Sequence, residues 1–168
     1  MYDQFFDLNF IEELASELRK HSDNQTNKIN IEQILNKLGF VAYGADFEDK
    51  KILSKVLCNK DKKEIYVIDD PYESQRFILA HEIGNMVLNY TVGEVINKIT
   101  YKENPKYLDM CSIIRKSNAN SFAVALLMPK KKSIKIWNSL NSIESFAKHF
   151  SVSRKAASIR LINLNLLK

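Results

Sequence analysis

Residues 75–90, QRFILAHEIGNMVLNY, constrain the fold more than any other stretch of the chain. From Phe77 to Leu88 every position is apolar or glycine except His81, Glu82 and Asn85. A proline-free apolar run of this length reads as a buried helix, and on a helix positions i, i+1 and i+4 fall within one arc of about 100°. The rest of the chain must therefore enclose this helix and satisfy an imidazole, a carboxylate and an amide along one arc. Upstream, Asp69-Asp70-Pro71-Tyr72-Glu73 is a helix start: Asp70 can cap, Pro71 suits the first helical position and Glu73 lies three after the cap. The predicted helix runs from Pro71 to about Tyr90, roughly 30 Å. Gly84 lies within it, where the missing side chain allows a close approach by another backbone or a ligand.

The order His81-Glu82-x-x-Asn85 is also chemically pointed. The motif H-E-x-x-H places two imidazoles at i and i+4 as metal donors and the glutamate as general base. Here Asn85 occupies the second imidazole position. On the helix alone, these three residues also fit a plain solvent-facing stripe.

Composition sets the class. At 168 residues, 45% hydrophobic and 27% charged, the chain is expected to form one globular domain spanning 1–168. No apolar run reaches membrane-spanning length, the opening MYDQFFDLNF is acidic and aromatic, and Cys58 and Cys111 make no disulfide framework. The expected compartment is the cytoplasm, with no membrane partner. Charge is uneven: residues 111–168 carry eleven Lys and Arg against one acid, Glu144, which leaves fourteen bases and nineteen acids for residues 1–110. Such a basic third either faces phosphate or an acidic protein, or is a solvated surface.

Along the chain, residues 6–20 show one-sided helical periodicity, followed by the polar loop HSDNQTNK; together they make residues 1–27 an N-terminal helix and loop. Asn30 caps a helix over 31–38 that Gly39 closes. Residues 40–43, 51–58 and 64–68 are strand candidates, the last two antiparallel across Asn59-Lys60-Asp61-Lys62. Residues 91–109 are mixed, with Val92, Val95, Ile96 and Ile99 at helix-compatible spacing. A second apolar helix is expected over 117–128, ended by Pro129, with Lys130–Lys132 as a surface turn. Asn141 is expected to cap a helix to Phe150, and Ser151-Val152-Ser153 to turn the chain into a last helix through Leu161. Residues 141–168 thus form a helix-turn-helix-like tail, in which Lys148, Arg154, Lys155 and Arg160 are candidate phosphate contacts; the plainer expectation is that the tail packs on the domain.

RFILAHEIGN, then ANSFAVALLMP, then SFAKHFSVSRKAASIRL carry a family resemblance over most of residues 28–164. In this order they resemble the ImmA/IrrE-like metallopeptidases of bacteria and mobile elements, including prophages. The resemblance implies an α+β, zincin-like fold, with a small antiparallel sheet packed with helices around the H-E-x-x-N helix and a helical tail. It also implies zinc held by two helix histidines and a distal glutamate, and action on a helix-turn-helix repressor. His81 matches the first ligand and Glu82 the general base. Asn85 stands at the second histidine, Asn89 at a further histidine sometimes found at the end of this helix, and Lys116 at the distal glutamate. No Asp or Glu lies between Asp109 and Glu144 to replace it.

Catalytic zinc takes three imidazole, thiolate or carboxylate ligands; an asparagine amide is a weak donor and an ammonium repels the cation. The resulting expectation is a pseudoenzyme without a cofactor, binding a partner such as a helix-turn-helix regulator, with Lys116 pairing with Glu82 in place of the metal. The alternatives are a zinc endopeptidase using substitute ligands from Glu94, Glu103, Asp109 or Cys111, and a nucleic-acid-binding module using the basic third.

Overall fold

The computed structural model describes residues 6–22, 28–89, 96–101 and 110–167, with side chains for all of these except 89, 96–101 and 110–112. Helix α1 (Leu8–Arg19) opens where the Asp7 carboxylate accepts from Asn9 N, and it buries Ile11, Ala15 and Leu18, one per turn along a single stripe. In α2 (Ile31–Lys37), Asn30 Oδ1 accepts from Gln33 N at 3.1 Å. Gly39, at φ +81°, then turns the chain into strand β1 (Val41–Ala45).

Strands β2 (Ile52–Cys58) and β3 (Lys63–Ile68) form the expected antiparallel hairpin. Its turn is held by Asn59, whose side-chain oxygen accepts from the backbone N–H groups of Asp61 and Lys62 at 2.9 and 2.8 Å. Strand β4 (Ile96–Tyr101) adds antiparallel to β2, giving the order β1-β3-β2-β4. The sheet is mixed, not purely antiparallel as expected: β1 runs parallel to β3. The chain leaves β1, skips one strand position to make β2, and the hairpin then inserts β3 into the gap. The stretch read as helix-compatible, Ile96 and Ile99, is strand, because the free edge of β2 supplies a ladder that local spacing does not reveal. Val92 and Val95 lie outside the described residues.

Helix α3 (Tyr72–Asn89) crosses the inner face of the sheet, where Ser54, Val56, Ile65 and Val67 are buried. It opens one residue later than expected, and the Pro71 carbonyl accepts from Ser74 N and Gln75 N. Helix α4 (Met110–Leu127) starts seven residues earlier than its apolar pattern suggests and packs closely along α3. Gly84 is the point of approach: a Cβ there would sit 2.9 Å from Phe122 Cδ1 and 3.2 Å from the Ala119 carbonyl.

Lys130–Lys132 open helix α5 (Lys130–Leu140) instead of forming a turn. Pro129 ends α4, but its fixed φ also suits the cap of the next helix. Asn141 is not the next N-cap; it closes α5 in the left-handed region at φ 43°, and Ser142 caps α6 (Ile143–Phe150) by accepting from Ser145 N. Helix α7 (Arg154–Asn163) follows a Ser153 cap. Phe146, Phe150, Ala156, Ala157 and Leu161 bury the inner faces of these last two helices, and α7 packs on α4.

Candidate functional site

The polar arc of α3 faces inward. His81 is 7% exposed, Glu82 1% and Asn85 4%, so this is a buried polar cluster and not a solvent stripe. An ionised carboxylate at that depth requires hydrogen-bond donors. Ser54 Oγ donates to Glu82 Oε1 at 2.7 Å, and Asn85 Nδ2 donates to Glu82 Oε2 at 3.2 Å. Ser54 reaches the carboxylate from a strand irregularity: Ile52 pairs with Tyr101 and Ser54 with Thr100, which leaves Leu53 as an extra residue in β2. Such bulges re-aim side chains.

His81 Nδ1 lies 3.0 Å from Asn120 Oδ1 on α4. An amide oxygen only accepts, so in this contact Nδ1 is the donor. Lys116 is half-buried on the same α4 face, one turn before Asn120. Asn118, two residues before Asn120, points elsewhere and accepts from Phe6 N at 3.2 Å.

The donors among the described residues do not make up the three-ligand set of a catalytic zinc. Among the described residues no group of three His, Cys, Asp or Glu side chains converges. His81 and Glu82 are adjacent, but the next position along the arc is an amide whose nitrogen points at Glu82, and a metal ion would have to displace that bond. Glu94, Glu103 and Asp109 lie outside the described residues, as do the side chains of Asn89 and Cys111.

Sequence reasoning missed Ser54 and Asn120, the two residues that hold Glu82 and His81 from other elements. A faint signal existed for Ser54: in ILSKVLC it shares a strand face with Val56, so it is the polar member of an inward-facing pair. Asn120 had a comparable one, four residues after Lys116.

The basic tail divides. Lys148 and Lys155 are exposed, and Arg154 is exposed with Nη2 2.7 Å from Glu144 Oε1. Arg160 is not a phosphate contact: it is 1% exposed, donates from Nε to the Met128 carbonyl at 2.7 Å, and forms a two-point ion pair with Glu12 of α1. It shares the inward arc of α7 with Ala156, Ala157 and Leu161, and that pattern, given weight, marks it as interior. Arg19 donates to the Ala125 carbonyl at 2.7 Å, so two arginines meet the C-terminal carbonyls of α4, the end a cation favours. No described helix is long and apolar enough to cross a membrane.

A family model for the IrrE N-terminal-like domain matches residues 37–162. Among solved structures, a Mycobacterium tuberculosis transcriptional regulator shares the fold, with a TM-score of 0.59 at 16% identity over 95% of this chain and 48% of that one. The chain thus spans about half the length of that structure. No curated protein sequence matches it.

Proposed function

Because the chain belongs to the IrrE N-terminal-like domain family, we propose that it is a metallopeptidase-fold regulator that acts by binding a partner and not by zinc hydrolysis. The observation that carries this reading is the pair of bonds on Glu82. Both carboxylate oxygens accept from fixed protein donors, Ser54 and Asn85, so the group at the general-base position is held as part of the interior. A general base has to reach the proton it removes, and here Ser54 and Asn85 compete for both oxygens. In this reading Lys116 brings to the site the positive charge that a metal would otherwise supply to Glu82.

The partner we propose is a helix-turn-helix regulator. Two things support it: the family's resemblance to proteins that act on such repressors, and a fold neighbour that is itself a transcriptional regulator. A nucleic-acid role has less support, since of four candidate tail cations one is buried in an ion pair and another is paired with Glu144.

The test is to mix the purified chain with helix-turn-helix regulators from its own genome, with and without added zinc, and follow both by size-exclusion chromatography and intact mass. The expected result is a complex in which the regulator keeps its full mass in either condition. Zinc-dependent cleavage of the regulator would overturn the reading in favour of an endopeptidase using other ligands.

A further inference from the structure

Strand β1 lies at one end of the sheet order β1-β3-β2-β4, and its sequence, VAYGA, carries none of the devices that keep an edge strand from pairing. It has no lysine, no proline and no bulge. Its register with β3 decides which backbone groups are left over. Ala45 lies opposite Ile68, and its carbonyl accepts from Asp69 N at 3.0 Å. In a parallel ladder a residue bonded to the neighbouring strand turns both its N–H and its C=O that way, and the next residue turns both to the other side. Val41, Tyr43 and Ala45 therefore bond to β3, and Ala42 and Gly44 turn their backbone groups outward. Among the described residues no strand pairs with that side.

The surroundings suit a second strand. Gly44 is exposed, and nothing lies within 4 Å of where a Cβ on it would sit. A glycine inside a strand marks a place where another backbone comes close. Val41 and Tyr43, 46% and 45% exposed, lie on the opposite sheet face from the buried Ile65 and Val67. The Tyr43 ring stacks on Tyr66 of β3 with centroids 5.5 Å apart.

Charge selects the strand that fits. At the start of β1, Lys37 and residues 59–64 bring four lysines against two acids. The Lys63 side chain reaches across this start, its Nζ 3.6 Å from where a Cβ on Gly39 would be. At the end of β1, residues 46–51 with Asp69 and Asp70 bring five acids against two lysines. An antiparallel copy of the same strand sets each basic start against the other's acidic end, twice over. A parallel copy would set like charge on like.

We propose that β1 pairs with β1 of a second copy of this chain, antiparallel about a two-fold axis at Tyr43. Ala42 of each chain exchanges both backbone bonds with Gly44 of the other. The two Tyr43 residues form the central pair, with Cα atoms about 4.5 Å apart. Tyr66 of each chain extends this row of rings on one face of a continuous sheet. A seam five residues long is a small interface, so the dimer dissociates on dilution. The proposal goes beyond the partner-binding reading and does not rest on it.

The full chain is followed by sedimentation velocity over a dilution series from roughly 1 mM to 1 µM. Tyr43→Cys is oxidised mildly, both pure and in extract of the host cell, and its disulfide-linked peptides are mapped. The expected result is a monomer–dimer equilibrium and a 43-to-43 disulfide, which a Cα separation of about 4.5 Å permits. Val41→Cys, which faces Ala45 of the other copy, is expected not to link to itself. Gly44→Pro removes one outward N–H per copy and none of the bonds to β3, so it is expected to raise the dimer dissociation constant about tenfold or more. A Lys37→Glu, Lys63→Glu chain and an Asp46→Lys, Glu48→Lys chain are each expected to stay monomeric alone and to pair when mixed. A monomer at every concentration would overturn the proposal. So would a dimer that Gly44→Pro leaves intact and Tyr43→Cys does not link. Linkage of Tyr43→Cys to another protein in the extract, with none to itself, would give the edge to a foreign strand and overturn the second copy as its occupant.

Discussion

Ser54, in an irregular stretch of β2, donates its hydroxyl to Glu82 Oε1 of α3 at 2.7 Å. This bond ties the sheet to the helix at a buried carboxylate, the one such group on their interface among the described residues. Removing a donor from a buried charged acceptor costs more than the bond itself is worth. Ser54→Ala is therefore expected to destabilise the fold by about 1–3 kcal/mol in chemical denaturation. Adding Glu82→Met should recover part of that loss, since the acceptor then no longer needs a donor. An unchanged midpoint for the single variant would show that Glu82 is satisfied without Ser54.

Gly84 sets the spacing of α3 and α4. Alanine normally gains about 1 kcal/mol over glycine inside a helix. Here the new methyl would sit 2.9 Å from Phe122 Cδ1 and 3.2 Å from the backbone carbonyl of Ala119, which cannot rotate away. Overpacking of this kind costs roughly 1–3 kcal/mol, so Gly84→Ala is expected to be net destabilising. A rise in melting temperature would mean that the two helices separate easily.

The Arg160–Glu12 pair pins α1 to α7 across the end of α4. Glu12→Gln leaves a guanidinium that is 1% exposed without its carboxylate. The expected loss is up to about 3 kcal/mol, lower than for a fully buried pair because Glu12 keeps some solvent contact. A Glu12→Leu, Arg160→Met chain should be more stable than Glu12→Gln. A double-mutant cycle measures the coupling, and a value near zero would contradict the pinning.

His149 gives the fold a pH dependence. Burial, and to a lesser degree the nearby Lys132 ammonium, hold its pKa below the ordinary histidine value. The folded state therefore prefers the neutral ring, and the unfolded chain takes up the proton at higher pH. The stability this contributes is present above pH of about 6.5 and is lost as pH falls from there through the lowered native value. His149→Gln should flatten that part of the stability–pH curve measured by urea unfolding. An unaltered slope would assign it to other groups.

Much of the architecture was readable where a local signal and the tertiary outcome agree. The apolar run through Ile83, the Asn30 cap, the Gly39 turn and the Asn59 turn each carry their reason within a few residues. What escaped depends on partners distant in sequence. Ile96 and Ile99 look helical until the edge of β2 is there to pair with them. Pro129 reads as a stop because nothing local shows that a second helix begins at once. Arg160 reads as a surface cation in sequence because its charge outweighs the apolar positions around it. Within the site, His81, Glu82 and Asn85 were visible as one arc, whereas Ser54 and Asn120 are ordinary polar residues until the fold brings them within about 3 Å of the first two.

The zinc content of the purified chain tests the central claim most directly. After saturation with zinc and removal of unbound metal by gel filtration, metal analysis by mass spectrometry should find far less than one zinc per chain. An Asn85→His, Lys116→Glu variant, analysed alongside, should retain close to one. Stoichiometric, tightly held zinc in the unaltered chain would contradict the account, because the network on Glu82 would then have to open to admit a metal.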